Sequence, residues 1–235
     1  MLRMAHCMHR SRREIKRMNI KKFCYGNQGP LILWGTYNFR ENETEQTMET
    51  IRQQLPDAEY TVVAVEVDDW FRQFSPWPSD QLDSKFAGEA EKTWQWMEKH
   101  VLPECGVNAA GGMPDRKIYI MGYSLAGLFA LWTLMEKPVL SGAISCSGSL
   151  WYPDFMDKIQ NDCHKLQGKK IYLSVGGKEA NTKDPLMANV LTCTKETYGL
   201  LKDQNAVKYE LNSGGHFADA GKRLAKGLRW MLEEE

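Results

Sequence analysis

The fold of this chain is decided by the stretch Lys117-Ile-Tyr-Ile-Met-Gly-Tyr-Ser-Leu-Ala-Gly-Leu-Phe-Ala-Leu-Trp132. An apolar strand pattern runs through Ser124 directly into an apolar helix pattern. Gly122 and Ala126 flank the serine at two residues before and after, where a sharp strand-to-helix turn needs small side chains. The stretch predicts a nucleophile elbow, a turn that holds the Ser124 hydroxyl above the end of a sheet.

The motif departs from the pattern Gly-x-Ser-x-Gly at its last position, where Ala126 stands and the glycine follows as Gly127. We expect one extra methyl group to be tolerated there. The alternative is an ordinary glycine-containing turn whose serine only caps the helix. The strand and helix patterns on either side favour the elbow, because that motif requires this context.

Composition indicates one catalytic domain, which we place at residues 20–235. The chain has 235 residues, of which 43% are hydrophobic, and this is enough for a substantial core. The formal net charge is zero, yet residues 1–22 contain eight Lys and Arg against Glu14 alone. We therefore predict that residues 1–19 are a poorly ordered basic extension. This extension lacks interleaved aromatic residues, so we expect no nucleic-acid or membrane partner.

The sequence also bears on location and cofactors. No stretch approaches the ~18 consecutive apolar residues of a transmembrane helix, and the N-terminus lacks the apolar segment of a signal peptide. The six cysteines are scattered without paired spacing. We expect a soluble cytoplasmic protein with reduced thiols, no metal and no cofactor, since no zinc signature or P-loop is present. The oligomeric state stays open between monomer and homodimer.

Strand and helix patterns alternate along the rest of the chain. Beside the elbow unit of 117–132, strands are expected at 20–25, 31–34, 60–67, 141–147, 170–175 and 207–211, and helices at 44–55, 86–101, 186–201 and 220–232. Residues 68–85 are expected to form a loop. This alternation predicts an α/β fold with a mostly parallel central sheet and helices on both faces. The segment 148–169 is too short for a large cap domain.

A base for Ser124 is expected after a later strand, because a serine hydroxyl is a weak nucleophile at neutral pH. Among five histidines, His216 is the candidate. It lies in Ser213-Gly-Gly-His-Phe217, between the last strand and the last helix, where the glycines permit a tight loop. The alternative is a histidine that only occupies a turn. The order Ser, acid, His favours the base.

The acid that orients the base is expected between Ser124 and His216. Glu179 is the first carboxylate after the strand of 170–175, and Asp184 is the second candidate in the same loop. The alternative is that both carboxylates only solvate the loop.

Backbone N–H groups are expected to bind the oxyanion. One is that of Leu125, at the start of the helix after the serine, and the other is that of Thr36 or Gly35, at the turn after an early strand. For Gly35 the alternative is a glycine that only ends the strand.

Aromatic residues are the candidates for substrate contact. Trp70 and Trp77 lie in the loop of 68–85, and Trp151 follows the strand of 141–147. Such side chains suit an aromatic or sugar-bearing ester. The alternative is that they only fill the core beneath a long loop.

These motifs together resemble the α/β-hydrolase superfamily, and more narrowly its compact putative-esterase branch, which includes esterase D, feruloyl esterases and trilactone siderophore esterases. The resemblance spans roughly residues 20–232 and implies Ser124 as nucleophile, His216 as base and Glu179 as acid. Some siderophore esterases of this branch use a Ser/His dyad, which leaves Glu179 open.

The expected activity is hydrolysis of a small-molecule carboxylic ester through an acyl-enzyme intermediate, without a cofactor. Two other uses of the same residues stay open. One is acyl transfer or peptide cleavage, and the other is a non-catalytic binding module that keeps the elbow as a scaffold.

Overall fold

The computed structural model describes residues 18–26, 28–107 and 116–233. Strands and helices alternate along them. The strands are β1 (Asn19–Tyr25), β2 (Leu31–Thr36), β3 (Tyr60–Glu66), β4 (Ile118–Tyr123), β5 (Gly142–Cys146), β6 (Lys170–Gly176) and β7 (Ala206–Asn212). The helices are α1 (Glu43–Gln54), α2 (Trp70–Phe74), α3 (Ala90–His100), α4 (Leu125–Glu136), α5 (Phe155–Asp162), α6 (Val190–Leu201) and α7 (Ala220–Leu232).

The strands form one seven-stranded sheet in the order β1-β3-β2-β4-β5-β6-β7. β1 runs antiparallel to β3, and every other neighbouring pair is parallel. Parallel strands end at the same edge of a sheet, so the loops after β2, β4, β5, β6 and β7 lie along one edge. The segments that carry Ser124, Glu179 and His216 all follow strands at this edge.

Helices cover both faces of the sheet. Successive side chains of a strand point to opposite faces, so each inner strand contributes to two apolar clusters. Ile32 and Ile144 pack on one face with residues of α1 and α7. Leu33 and Leu173 pack on the other face with residues of α3, α4 and α5. The predicted mostly parallel sheet with helices on both faces is confirmed.

The connection from β5 to β6 carries no large cap. It contains only α5 and a short 3-10 turn at Cys163–Leu166. Phe155 and Ile159 of α5 are fully buried in the cluster under the sheet, so this helix is part of the main body. The candidate site is therefore not covered from this side.

Two helices were missed by the sequence analysis. The segment 68–85, expected as a loop, contains α2, and α5 lies where no element was expected. α2 has five residues, too few for a periodic apolar pattern. It is capped by Asp69, whose carboxylate accepts the N–H of Arg72 at 3.1 Å. In α5, the buried residues are Phe155 and Ile159, and one apolar pair at this spacing is too weak a pattern to predict a helix.

The first strand begins one residue earlier than the expected 20–25. Met18 is 2% exposed and packs in the core, and Asn19 begins β1, where it pairs with Glu66 of β3. The Asn19 side chain also donates to the Glu66 carboxylate at 2.5 Å. The strand expected at 20–25 is thus present at the edge of the sheet, although basic residues surround it. Residues 1–17 of the predicted extension lie outside the described residues.

Candidate active site

Ser124 lies between β4 and α4 with φ of 56° and ψ of −124°. Positive φ is costly for a residue with a side chain and persists only where the surroundings hold it. Here the Ser124 N–H donates to the Cys146 carbonyl at 2.9 Å, and the Ser124 carbonyl accepts the N–H groups of Leu128 and Ser149 at 3.1 and 3.0 Å. These bonds fix the strand–turn–helix geometry of an elbow.

Close packing explains why small residues surround Ser124. A Cβ at Gly122 would lie 2.1 Å from the carbonyl oxygen of Ala126, so only glycine fits there. Ala126 itself is fully buried. A Cβ at Gly127 would lie 3.0 Å from the Cα of Gly148, so the displaced glycine brings α4 close to the turn after β5. The departure at Ala126 therefore leaves the elbow intact.

The structure brings Ser124, His216 and Glu179 together. Nε2 of His216 lies 3.0 Å from Oγ of Ser124, and Nδ1 lies 2.7 Å from Oε2 of Glu179. An Nδ1–H that donates to the carboxylate leaves Nε2 as an acceptor for the serine proton. The three residues come from the loops after β4, β6 and β7, so the shared sheet edge brings them into contact.

Glu179 is held as a carboxylate. Burial alone would raise its pKa, but hydrogen bonds outweigh burial and lower the pKa to about 2. The donors are His216, the N–H of Gly176 at 2.5 Å and the hydroxyl of Ser147 at 2.8 Å. An ionised Glu179 can stabilise the imidazolium that forms when His216 accepts a proton.

The second acid candidate has a different position. Asp184 is exposed, and its Oδ1 accepts the N–H groups of Leu186 and Met187 at 2.9 and 3.0 Å. It therefore caps the 3-10 turn that precedes α6. Of the other histidines, His100 packs against Trp96, and Nδ1 of His164 lies 3.2 Å from the carbonyl of Asn161. His6 and His9 lie outside the described residues.

The predicted oxyanion donors flank the elbow in the fold. Leu125 is the first residue of α4, where an N–H has no carbonyl of the preceding turn to donate to. Thr36 ends β2, next to β4 in the sheet. A Cβ at Gly35 would lie 3.0 Å from the ring of Phe74. This glycine therefore makes room for a core aromatic ring, a reason the sequence analysis did not include.

The three predicted tryptophans are half-buried and packed on the main core. The indole N–H of Trp77 donates to the Pro153 carbonyl at 3.1 Å, so this side chain ties two loops together. Trp70 stands edge-on to Phe74 at 5.1 Å between ring centroids. Trp151 follows the turn after β5. Packing on the core accounts for the buried part of each side chain. Contact of these tryptophans with substrate stays a prediction.

Two exposed phenylalanines near the site were not singled out from the sequence. Phe217, 93% exposed, follows His216, and their rings stand nearly perpendicular at 5.0 Å. Phe39, 61% exposed, packs edge-on against Trp70 at 5.3 Å. Both rings are accessible to solvent. Phe217 could have been found from the sequence, because it directly follows the candidate base His216.

Three polar residues beside the triad were also missed. They are Tyr123, Ser147 and Arg223, all of which lie within hydrogen-bonding distance of one another. Tyr123 is next to the serine, and Ser147 directly follows β5. Arg223 has no comparable signal, because charged residues are common on a helix that is otherwise half apolar.

Two further observations concern only residues 18–26, 28–107 and 116–233. No group of three or more His, Cys, Asp or Glu side chains is arranged to hold a metal ion. No helix there is both long enough and apolar enough to span a bilayer.

Comparison with known proteins decides the family. The model of the family described as Putative esterase matches residues 16–223, most of the chain. The chain belongs to this family. Among curated proteins, this esterase-family chain is 23% identical over 202 residues to the uncharacterised protein YbbA of Bacillus subtilis (strain 168), covering 81% of the chain and 80% of that protein.

Solved structures show the fold of this esterase-family chain. Siderophore hydrolase EstB from Aspergillus nidulans matches with a TM-score of 0.67 and 18% identity, over 88% of the chain and 83% of that protein. An IroE-like serine hydrolase from Shewanella oneidensis matches with a TM-score of 0.69 and 14% identity, over 87% and 70%. The predicted α/β-hydrolase fold and esterase branch are confirmed.

Proposed function

We propose that this chain hydrolyses a carboxylic ester of a small molecule through an acyl-enzyme, with Ser124 as nucleophile, His216 as base and Glu179 as orienting acid. One observation carries the proposal. A continuous hydrogen-bond chain runs from Oγ of Ser124 through both ring nitrogens of His216 to Oε2 of Glu179. Membership of an esterase family supports the ester as substrate. The contact to Glu179 favours a triad over a dyad.

The reaction follows from the positions of the polar atoms. Nε2 of His216 takes the proton of the Ser124 hydroxyl as Oγ attacks the ester carbonyl. The N–H groups of Leu125 and of Thr36 or Gly35 stabilise the negative charge on the carbonyl oxygen. His216 then protonates the leaving alcohol while the C–O bond breaks. A water molecule, deprotonated by His216, then attacks the acyl carbon. His216 returns this proton to Oγ of Ser124 as the bond between Oγ and the acyl group breaks and the acid leaves.

We further propose that the ester carries an aromatic group. Phe217 and Phe39 present apolar rings to solvent beside His216 and Trp70. An aromatic ligand gains both buried area and edge-to-face contacts on such a surface. EstB, to which the fold is similar, is a siderophore hydrolase. A siderophore ester is therefore one class to include in the assay.

The test is Ser124→Ala, assayed with short p-nitrophenyl esters and with a fluorophosphonate probe. We expect kcat/KM to fall by at least about 10³-fold and labelling to disappear, because no other group supplies the acyl acceptor. Ser84→Ala, which alters an exposed loop serine, is the matched control. Near-wild-type turnover in folded Ser124→Ala would refute the assignment.

Product analysis separates hydrolysis from the related reactions. With the wild-type protein we expect free acid as the main product when an alcohol or amine acceptor competes with water. Mostly transferred product would instead assign an acyltransferase, and cleavage of peptides alone a peptidase. If acetyl, feruloyl and macrolactone esters are not turned over and the fluorophosphonate probe does not label Ser124, the result favours a binding module.

A further inference from the structure

Arg223 places a positive charge inside the protein beside the candidate site. Its side chain is 2% exposed, and that of Glu179 is 1% exposed. A buried guanidinium is unfavourable unless carboxylates and carbonyl groups satisfy it. Here Nη1 lies 2.8 Å from Oε1 of Glu179, the carboxylate oxygen that does not face His216.

The other contacts of Arg223 go to neighbours of the triad. Nη1 lies 2.8 Å from Oγ of Ser147 and 3.1 Å from the hydroxyl of Tyr123. Nη2 donates to the carbonyl groups of Ser213 and Gly215 at 3.1 and 2.9 Å. Burial requires that the donors of the guanidinium find such partners. The partners that it finds belong to the acid, the elbow and the loop that carries His216.

We propose that Arg223 is a positioning residue for the triad: it holds the Glu179 carboxylate and the His216 loop in the geometry in which His216 can accept the serine proton. The inference rests on the proposed function of Ser124, His216 and Glu179. Arg223 itself does not touch Ser124. It acts through Glu179 and through the backbone that precedes His216.

The surrounding residues are shaped to admit the guanidinium. A Cβ at Gly176 would lie 2.8 Å from Nη2 of Arg223 and 2.6 Å from the carbonyl oxygen of Gly214, so glycine is needed at the end of β6. Ser147 has a positive φ of 49° and is fully buried, with its hydroxyl between Arg223 and Glu179. A strained, buried polar residue is kept where its contacts outweigh the strain.

Tyr123 completes the support of the His216 loop. Burial raises the pKa of Tyr123 to about 12, so its hydroxyl stays protonated and donates to the His216 carbonyl at 2.6 Å. The same hydroxyl faces Nη1 of Arg223. Among the described residues, the titratable side chains that contact His216 or the backbone of residues 213–216 are Glu179, Tyr123 and Arg223. Of these, Arg223 is the one positive charge, and it balances the carboxylate. Asp219, at the end of the loop, pairs with Lys222 at 2.9 Å.

Two substitutions separate the charge of Arg223 from its hydrogen bonds. Arg223→Met removes both, so we expect kcat/KM for a p-nitrophenyl ester to fall by about 10²-fold, the effect of a misplaced catalytic group. The loss is expected in kcat, because Arg223 does not contact substrate. Because a positive charge beside the triad is lost, we expect the acid-side limb of the pH profile of kcat/KM to move to higher pH.

Arg223→Lys keeps the charge but cannot reproduce the planar pair of donors. We expect kcat to fall by about tenfold, with the acid limb and KM near their wild-type values. Arg229→Met is the matched control: it removes an exposed arginine of the same helix, which contacts the Gln54 carbonyl. This control is expected to keep wild-type kinetics. Thermal unfolding checks that each variant is folded.

The outcomes distinguish the inference from the proposed function. If Arg223→Met does not fold, Arg223→Lys carries the test through kcat and the rate of fluorophosphonate labelling. Folded Arg223→Lys or Arg223→Met with wild-type kcat overturns the positioning role, as does a lower kcat in Arg223→Met with an unmoved acid limb. If wild-type protein is inactive, or if Ser124→Ala keeps activity, the proposed function fails first and the inference with it.

Discussion

Burial and hydrogen bonding act on the Glu179 carboxylate in opposite directions. Its side chain is almost inaccessible, yet it accepts hydrogen bonds at both oxygens and lies against a guanidinium. Hydrogen bonds to a carboxylate favour its charged form and can outweigh desolvation. The same contacts that orient His216 therefore also contribute to the stability of the fold.

This balance predicts a pH-dependent stability at residue 179. The folded-state pKa of about 2 lies below the ordinary value of 4.5, so the ionised carboxylate stabilises the fold above pH 4.5, and this contribution is lost as pH falls toward 2. Glu179→Gln leaves Arg223 without its buried counter-charge. We expect the variant to lose about 3 kcal/mol of unfolding free energy at neutral pH, and less in acid.

Urea unfolding at neutral pH and at about pH 3.5 measures this difference. The gap between wild type and Glu179→Gln should narrow on acidification, because the wild type loses its own carboxylate contribution. Glu41→Gln, at an exposed glutamate, is the control and should show no gap at either pH. A gap that stays constant over the range would argue against an ionised, stabilising Glu179.

Single residues at the site differ in how far sequence could identify them. Ser124 and His216 stand in glycine-containing turns after strands, and the fixed order of such groups along the chain indicates both. The choice between Glu179 and Asp184 depends on the path of one loop, which only the folded backbone defines. The role of Arg223 could not be predicted from the sequence, because its side chain is buried by four segments that come together only in the fold.

At the scale of elements, length and periodicity decide what the sequence can predict. α7 was predicted at Ala220–Leu232, with the bounds that the structure shows, because its thirteen residues carry a clear apolar face. α2 and α5 have five and eight residues; Asp69 caps α2, and Phe155 and Ile159 bury one side of α5. Short helices owe their stability mainly to such tertiary contacts.

Two glycines inside helices give a matched prediction at this scale. Gly199 is exposed in α6, and a Cβ there would meet nothing within 4 Å. Gly227 is buried in α7, where a Cβ would lie 2.5 Å from Cγ2 of Ile144. We expect Gly199→Ala to raise the free energy of unfolding by about 0.5–1 kcal/mol through helix propensity. Gly227→Ala should lower it by about 1–3 kcal/mol through overpacking.

Urea unfolding followed by circular dichroism measures both glycine variants. Gly199→Ala is expected to keep wild-type ester hydrolysis, because α6 contributes no predicted site residue. The contrast in sign is the test. If Gly227→Ala is as stable as Gly199→Ala, the close packing of α7 on β5 is not as the structure describes.

At the scale of the whole molecule, one sheet connects the candidate site to both layers of helices. The elbow helix α4 packs on one face with the larger apolar cluster, while α7 packs on the other face. Arg223 reaches from α7 to the last residue of β4 and to residues after β5, β6 and β7. The site geometry thus depends on both faces of the sheet.

A single domain at residues 20–235 stays a prediction, and the two apolar clusters offer its test. Leu173 of β6 and Leu228 of α7 are fully buried on opposite faces of the sheet. We expect Leu173→Ala and Leu228→Ala each to lower the free energy of unfolding by about 2–5 kcal/mol. Because the sheet separates the two side chains, the losses should add in the double variant within about 0.5 kcal/mol.

Urea unfolding, followed in parallel by tryptophan fluorescence and by far-ultraviolet circular dichroism, measures these losses. Both clusters use side chains from the same strands, so neither layer of helices can leave the sheet without exposing the strands that the other layer needs. One domain therefore predicts coincident transitions for wild type and for each variant. Two separated transitions, with Leu173→Ala shifting one and Leu228→Ala the other, would instead show that the two faces unfold as independent units.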